Sequence, residues 1–281
     1  MGVGSPAETR FEFGENWRKF AAVVDEARVA EAERSLQAML GVERLDGRSF
    51  LDVGCGSGLF SLAAARLGAA PIRSFDYDAG SVDATLAVKE RFLPDASGWT
   101  VEHGDATDAA YIGSLGSFDV VYAWGVLHHT GAMWQALDNV SRAVRPGGML
   151  FLAIYNDQGQ RSAAWRVVKR IYNRLPRALR TPYAVAVILP FEARSAARAA
   201  LERNIRGYVR RWTCWEKRGM SRWHDIVDWV GGYPFEVATP DEVAAFCGAR
   251  GYELVRLTDV GGGIGCNEFV LRRAAERHEA A

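Results

Sequence analysis

Phe50-Leu51-Asp52-Val53-Gly54-Cys55-Gly56-Ser57-Gly58-Leu59-Phe60-Ser61 is the stretch whose reading decides the fold. An apolar run ends at Asp52, glycine falls at 54, 56 and 58, and an Ala/Leu-rich segment continues to Gly68. That order reads as a buried strand, a tight glycine turn and a helix N-terminus. A glycine backbone reaches positive φ and can lie close against a ligand. The helix behind it aims free N–H groups at the same place. The dinucleotide fingerprint G-x-G-x-x-G would need a third glycine where Leu59 stands. The turn is instead G-x-G-x-G with Asp52 just before it, and an acid there suits a ligand with a positive group better than a pyrophosphate. The plain alternative is a glycine turn of some other α/β protein.

Working outward, strands are expected at 48–53, 71–76, 99–103, 118–123 and 148–154, and helices at 57–67, 79–92 and 132–144, with Pro146-Gly147-Gly148 turning into the fifth strand. Alternating strands and helices imply βαβ units, a parallel sheet, and a ligand at the C-terminal strand ends. Asp76 closes the second strand about 20 residues beyond the turn, the spacing of a carboxylate that accepts from two ribose hydroxyls. Asp78 competes for that role, though it also suits an N-cap of the next helix. The third strand runs into His103-Gly104-Asp105-Ala106-Thr107, where Asp105 is either a ligand contact or an Asx-turn.

These residues resemble class I S-adenosylmethionine (SAM) methyltransferases. Asp52 to Gly58 fits D-x-G-x-G-x-G, Phe118-Asp119-Val120-Val121 fits F-D-x-V, Leu127-His128-His129 continues like L-x-H, and Leu137 to Gly148 fits L-x-x-x-x-R-x-L-x-P-G-G with Val144 in place of leucine. The resemblance covers 50–154 well and 239–272 more loosely. It implies an α/β, Rossmann-like seven-stranded methyltransferase sheet with helices on both faces. SAM is the implied cofactor and S-adenosylhomocysteine the product. Asp52, Gly54, Gly56, Gly58, Asp76, Tyr77, Asp105, Ala106 and Trp124 are the implied cofactor residues. Asp105 would accept from the adenine amine, the Ala106 N–H would meet a ring nitrogen, and Trp124 would stack on adenine, face the sulfonium or pack in the core.

No N/D-P-P-Y/F follows the fourth strand and no Pro-Cys occurs, which disfavours amino-group methylation of bases and cytosine C5 chemistry. Direct transfer to a small or lipid-like acceptor is left. A hydroxyl acceptor needs a base, and histidine suits neutral pH. His129 leads because it matches the family's L-x-H; His128 and His224 follow, each with a packing or surface role as the alternative. His103 lies near the adenine side and His278 in a charged tail. C-methylation of a prenyl diphosphate, RNA methylation and non-catalytic SAM binding are the rival functions.

Four cysteines form no C-x-x-C pair and no metal spacing, and with no apolar leader at the N-terminus this suggests a reduced, cytoplasmic setting. Net charge is zero over 281 residues. That average hides sixteen Lys/Arg from Arg161 to Arg222 against Glu192, Glu202 and Glu216. Residues 157–236 therefore read as a helical basic insertion after the fifth strand: a solvated lid, a grip on an anionic acceptor or anionic membrane, or, third, an RNA surface. Its apolar run Tyr183–Phe191 is too short to span a bilayer, and Asp228 to Glu236 reads as a rigid, substrate-facing turn. The remaining domains are expected as a helical N-terminal cover at 1–41 stopped by Gly41, a SAM-binding core at 42–156, and 237–281 with a Thr239/Glu242 capping box and a strand pair joined by glycine-rich 261–265. Nucleic acid is not a favoured partner, and composition sets no oligomeric state.

Overall fold

The computed structural model describes residues 11–213 and 222–275. By their contacts they form two units: Phe13–Gln158 with the chain from Glu236 onward, and Phe11 and Glu12 with Gly159–Phe235.

The larger unit holds one sheet of β1 (Phe50–Val53), β2 (Ile72–Asp76), β3 (Trp99–His103), β4 (Phe118–Trp124), β5 (Val144–Tyr155), β6 (Tyr252–Thr258) and β7 (Cys266–Arg273). The spatial order is β3-β2-β1-β4-β5-β7-β6. The first five strands are parallel, and β7 runs antiparallel to both β5 and β6. Strand order reverses between β1 and β4, which opens a crevice at their C-terminal ends. Around the sheet lie α1 (Phe13–Ala21), α2 (Glu26–Leu40), α3 (Leu59–Arg66), α4 (Ala79–Phe92), α5 (Ala109–Ser114), α6 (Met133–Arg142) and, later in the chain, α11 (Pro240–Gly248).

Strand alternation divides the core. Leu51, Val53, Val121, Ala123, Leu150, Leu152, Phe269 and Leu271 are buried with Ile112 of α5, Leu137 and Val140 of α6 and Val243 of α11. Phe50, Tyr122 and Phe151 point to the other face, where Tyr122 stacks on Phe60 of α3 at 4.9 Å. Apolar side chains on both sides of central strands are what a sheet covered by helices on each face requires.

Several local details refine the sequence reading. The helical patterning expected across 11–41 is two helices. Asp25 accepts the Arg28 N–H at 2.9 Å and starts α2, which ends at Gly41 with φ 66° and its N–H on the Gln37 carbonyl. α1 packs on α4 and α2 on α3, and residues 13–40 group with the sheet unit. Gly14 makes the first contact possible: a Cβ there would lie 2.2 Å from Asp78 Oδ1 and 2.8 Å from Gly80 Cα. The Pro146-Gly147-Gly148 turn sits inside β5, as a register break between Phe118↔Val144 and Val120↔Met149. α5 was not among the expected helices; Asp108 caps it by accepting from Ala110 and Tyr111. The capping box is present at α11, with Thr239 N–H on Glu242 at 2.8 Å and Glu242 N–H on Thr239 Oγ1 at 3.3 Å.

The smaller unit is helical: α7 (Gln160–Arg174), α8 (Arg177–Leu201), α9 (Ile205–Thr213) and α10 (Arg222–Gly231). Its bounds of 159 and 235 lie just inside the 157–236 expected. The difference arises because the flanking chain is held in the sheet unit. Asn156 bridges to Ala238, Ala238 N–H donates to Tyr155 at 3.0 Å, and Asp157 N–H donates to Ala238 at 3.2 Å. Residues 228–231 are the last turn of α10, and the turn expected at 228–236 begins only after it. Within the unit, Lys169 is fully buried, donates to the Trp229 carbonyl, and has its ammonium 4.7 Å from both the Trp229 and Phe235 ring centres.

Candidate functional site

The crevice between β1 and β4 is built on the glycine turn. Gly54, Gly56 and Gly58 all have positive φ, at 69°, 56° and 74°. The turn leaves no room for side chains: a Cβ on Gly54 would lie 2.4 Å from Val126, and one on Gly56 would lie 2.9 Å from the Trp17 ring. Gly54 and Cys55 N–H groups both donate to the Phe75 carbonyl, at 2.8 and 3.0 Å, which carries the β1–β2 ladder into the turn.

Asp76 closes the turn from the end of β2. Its Oδ2 accepts the Gly56 N–H at 3.0 Å and its Oδ1 the Asp78 N–H at 2.9 Å. An ionised carboxylate has about four acceptor positions, so two bonds leave capacity for hydroxyl donors. Burial pushes the Asp76 carboxyl up to about 6, outweighing those N–H bonds. Asp78 caps α4 through Gly80 N–H at 2.8 Å and takes the Gly14 N–H at 2.8 Å, which pins the start of α1. Tyr77 beside it is 53% exposed, and its carbonyl meets His103 Nε2 at 2.8 Å.

Asp52 lies beneath the turn, 2% exposed, and accepts from the Ser61 hydroxyl. Ser61 Oγ is 2.7 Å from Ser74 Oγ, which accepts the Trp99 indole N–H at 2.8 Å. Indole only donates and an ionised carboxylate only accepts, so with Asp52 ionised the hydroxyls all point one way, from Trp99 to Asp52. Burial pushes the Asp52 carboxyl up to about 7, with a further push from the charge of Asp76.

After β3, Asp105 Oδ1 accepts from the Thr107 N–H and hydroxyl, both at 2.8 Å, which is the Asx-turn. Ala106 is buried, and its carbonyl is held by Asn139 Nδ2 of α6 at 3.0 Å. The turn glycines, Asp76, Asp105 and Ala106 thus follow three neighbouring strands. Trp124 reaches the opposite way. Its indole donates to Glu268 of β7 at 2.9 Å, across β5 at the Trp124↔Ala153↔Glu268 register.

Past β4, Leu127–His129 form a 3-10 turn. His128 is fully buried, its Nδ1 accepts the Tyr155 N–H at 3.3 Å, and its ring lies 3.9 Å from that of Tyr155. Acceptance at Nδ1 puts the proton on Nε2, so neither nitrogen of that ring is poised to take another. His129 is only half-buried, with Phe13 of α1 at 4.9 Å and Tyr155 at 5.4 Å between ring centres. Glu236 fastens the segment: its N–H donates to the His128 carbonyl at 3.0 Å and its carboxylate takes the Met133 N–H. His224 falls in α10, with its side chain outside the described residues.

Tyr155 and Glu268 are the additions that sequence reasoning did not assign to the site, while Phe13 and Trp17 lie in the expected N-terminal cover and Glu236 ends the expected substrate-facing turn. The two aromatics of α1 carry a faint signal, since they sit four apart and share a helical face. The glycine-rich connector is pinned over the end of β5: Gln158 Nε2 donates to Gly262 at 2.8 Å and Asn156 N–H to Gly265 at 3.0 Å.

Residues 51–152 match the family described as "Methyltransferase domain". A ubiquinone biosynthesis O-methyltransferase of Methylobacterium sp. (strain 4-46) is 32% identical over 133 residues, 47% of this chain and 51% of that protein. A ribosomal protein L11 methyltransferase of Methylococcus capsulatus (strain ATCC 33009 / NCIMB 11132 / Bath) is 36% identical over 111 residues, 39% of this chain and 34% of that one. The chain thus spans about half the length, or less, of the curated relatives it matches. Among solved structures, magnesium protoporphyrin IX methyltransferase from Synechocystis PCC 6803 with bound SAH superposes with a TM-score of 0.55 at 14% identity, over 92% of this chain and 93% of that one. A [4+2]-cyclase superposes with a TM-score of 0.50 at 14% identity, over 88% and 81%. The fold is that of the class I SAM-dependent methyltransferases, and chemistry other than methyl transfer also occurs on it.

Proposed function

We propose that the protein binds SAM across the glycine turn and transfers its methyl group to a hydroxyl oxygen of a small-molecule or lipid-like acceptor. The observation that carries this reading is the joint at Gly56 and Asp76, where an acceptor-only group with capacity to spare is fastened to the glycine turn. A ribose diol needs such an acceptor, and without a Cβ at Gly56 the Trp17 ring of α1 closes directly over the turn. Asp76 would take the ribose hydroxyls, and Asp105 and Ala106 would meet adenine. The glycine turn would lie beside the amino-acid end. Bound SAM supplies an electrophilic methyl group on a sulfonium.

The chain's own work is positioning and proton removal. His129 would accept the acceptor's hydroxyl proton at a ring nitrogen, a contribution of typically 10²–10⁴-fold. Its support is comparative. Of the two adjacent imidazoles, His128 is buried and committed to the Tyr155 N–H, while His129 is half-buried among rings. The O-methyltransferase named among the relatives favours oxygen as the acceptor atom.

A second reading is C-methylation of a prenyl-type diphosphate, favoured by the arginine excess between 161 and 222, since a diphosphate calls for charge-assisted partners. Incubation of the protein with methyl-labelled SAM and cell extract, followed by mass analysis of the labelled product, tests both. A methyl on oxygen supports the first reading and a methyl on carbon selects the second. Tight SAM binding without any transfer overturns both and leaves a binding module.

A further inference from the structure

α8 is the longest helix described, 25 residues from Arg177 to Leu201. From Thr181 to Phe191 it carries no charged residue. Yet that stretch is not an interior one. Val185 is 43% exposed, Leu189 60% and Phe191 50%. The bare positions Ala178, Pro182, Val185, Leu189 and Ala193 recur at three- and four-residue steps and are all exposed, so they make one continuous stripe. α9 extends the pattern, with Ile205 at 59% and Val209 at 49%, one helical turn apart. Tyr208 donates to Glu192 at 3.1 Å and joins α9 to α8.

Arginine rims this apolar stripe. Arg194 follows it on α8, and Arg206 and Arg210 stand beside Ile205 and Val209, all exposed. The few acids nearby are taken up internally: Glu192 by Tyr208, and Glu202 by Arg198 at 2.7 Å. The outer surface is therefore apolar along its middle and cationic at its border.

We infer that this helical unit docks on an anionic lipid surface, with α8 lying flat in the headgroup region and the arginines meeting lipid phosphates. The charge pattern selects lipid over a second copy of the chain. A self-complementary contact on this face would set arginine against arginine. Lipid phosphates offer the opposite sign and bidentate acceptors. Geometry sets the depth. The uncharged stretch covers only about 16 Å at 1.5 Å per residue, half the hydrocarbon thickness. No helix among the described residues is long and apolar enough to cross a membrane. This inference is independent of which acceptor atom is methylated.

The test is co-sedimentation of the full chain with vesicles of phosphatidylcholine, and of phosphatidylcholine containing about 30 mol% phosphatidylglycerol. Expected is partition onto the anionic vesicles only, falling steeply between about 0.05 and 0.5 M salt. The double variant Val185→Glu/Leu189→Glu should lose partition by about tenfold or more, with its thermal midpoint and SAM affinity unchanged. A second variant, Arg194→Glu/Arg206→Glu/Arg210→Glu, should lose at least about five-fold for each charge removed. Failure of the parent chain to bind anionic vesicles overturns the inference. So does undiminished binding by both variants, and so does a parent dimer in sedimentation equilibrium that Val185→Glu/Leu189→Glu turns into a monomer.

Discussion

Asp76 holds the middle of the glycine turn directly, its Oδ2 taking the Gly56 N–H at 3.0 Å. The group that would grip a ribose is thus also the group that shapes the turn beneath it. Asp76→Ala should weaken SAM binding by about 1.5–3 kcal/mol, roughly ten- to a hundred-fold in Kd. It should also lower the thermal midpoint of the ligand-free protein, because the Gly56 N–H loses its partner. Isothermal titration calorimetry and a melting curve read the two effects separately. An unchanged Kd removes Asp76 from the site.

The raised Asp76 carboxyl gives that binding a pH dependence. Only the carboxylate accepts from two hydroxyls, and it forms as pH rises through about 6. SAM affinity should therefore drop by up to tenfold per pH unit below about 6 and level off above it. Asp76→Asn should flatten the profile. Calorimetry in buffers of different ionisation enthalpy should show proton release on binding in the acid range.

Asp52 acts on stability in the opposite direction of pH. Its carboxyl titrates near 3.8 when unfolded and at about 7 in the fold. Between those values the folded chain keeps a proton that the unfolded chain has released. Stability should fall as pH rises from about 4 to 7 and be flat beyond. The difference between parent and Asp52→Asn isolates this share. Urea midpoints at several pH values measure it, and parallel profiles for the two proteins would contradict the burial argument.

His129→Asn should lower kcat by about 10²–10⁴-fold and leave SAM affinity unchanged. His128→Asn should behave differently, because its ring is a packed acceptor for the Tyr155 N–H. It should cost about 1–3 kcal/mol of stability with a smaller change in kcat per folded molecule. Denaturant unfolding and turnover on the identified acceptor separate them. Equal kcat losses at equal stability would unseat His129 as base.

Gly14→Ala places a methyl group 2.2 Å from Asp78 Oδ1 and 2.8 Å from the Gly80 backbone. The backbone on the far side cannot retreat, so α1 should lift from α4 at a cost of about 1–3 kcal/mol. Phe13 and Trp17 then leave His129 and Gly56. SAM dissociation should accelerate by about tenfold, as it should in Trp17→Ala. Stopped-flow dissociation and protease sensitivity of α1 give the readouts.

The parts of the site that the sequence announces are those whose spacing is local. The glycine turn needs small residues at fixed steps, Asp76 follows one βα unit later, and Asp78 caps a helix with a recognisable start. Gly41 and the Thr239/Glu242 box are legible for the same reason. What joins Trp124 to Glu268 is of another kind. Their separation of 144 residues is bridged only when β7 returns antiparallel beside β5 and brings Ala153 between them. No repeat or motif near either residue encodes that register. The break between α1 and α2 is an intermediate case: Asp25 is a plain cap signal, but continuous apolar spacing on both sides hides it. The fate of the two histidines depends on which ring the Tyr155 backbone meets, and that is a property of the packed strands.

The bridge between Asn156 and Ala238 stitches together the two points where the chain leaves the sheet unit and rejoins it. The segment between, from Gly159 to Phe235, thus leaves and re-enters the sheet unit at neighbouring points, and Phe11 and Glu12 group with it. A foreign segment with ends as close together should therefore graft at these points while the sheet keeps its register. The glycine turn would be inherited intact, and each new cassette would address the same chemistry to a different destination.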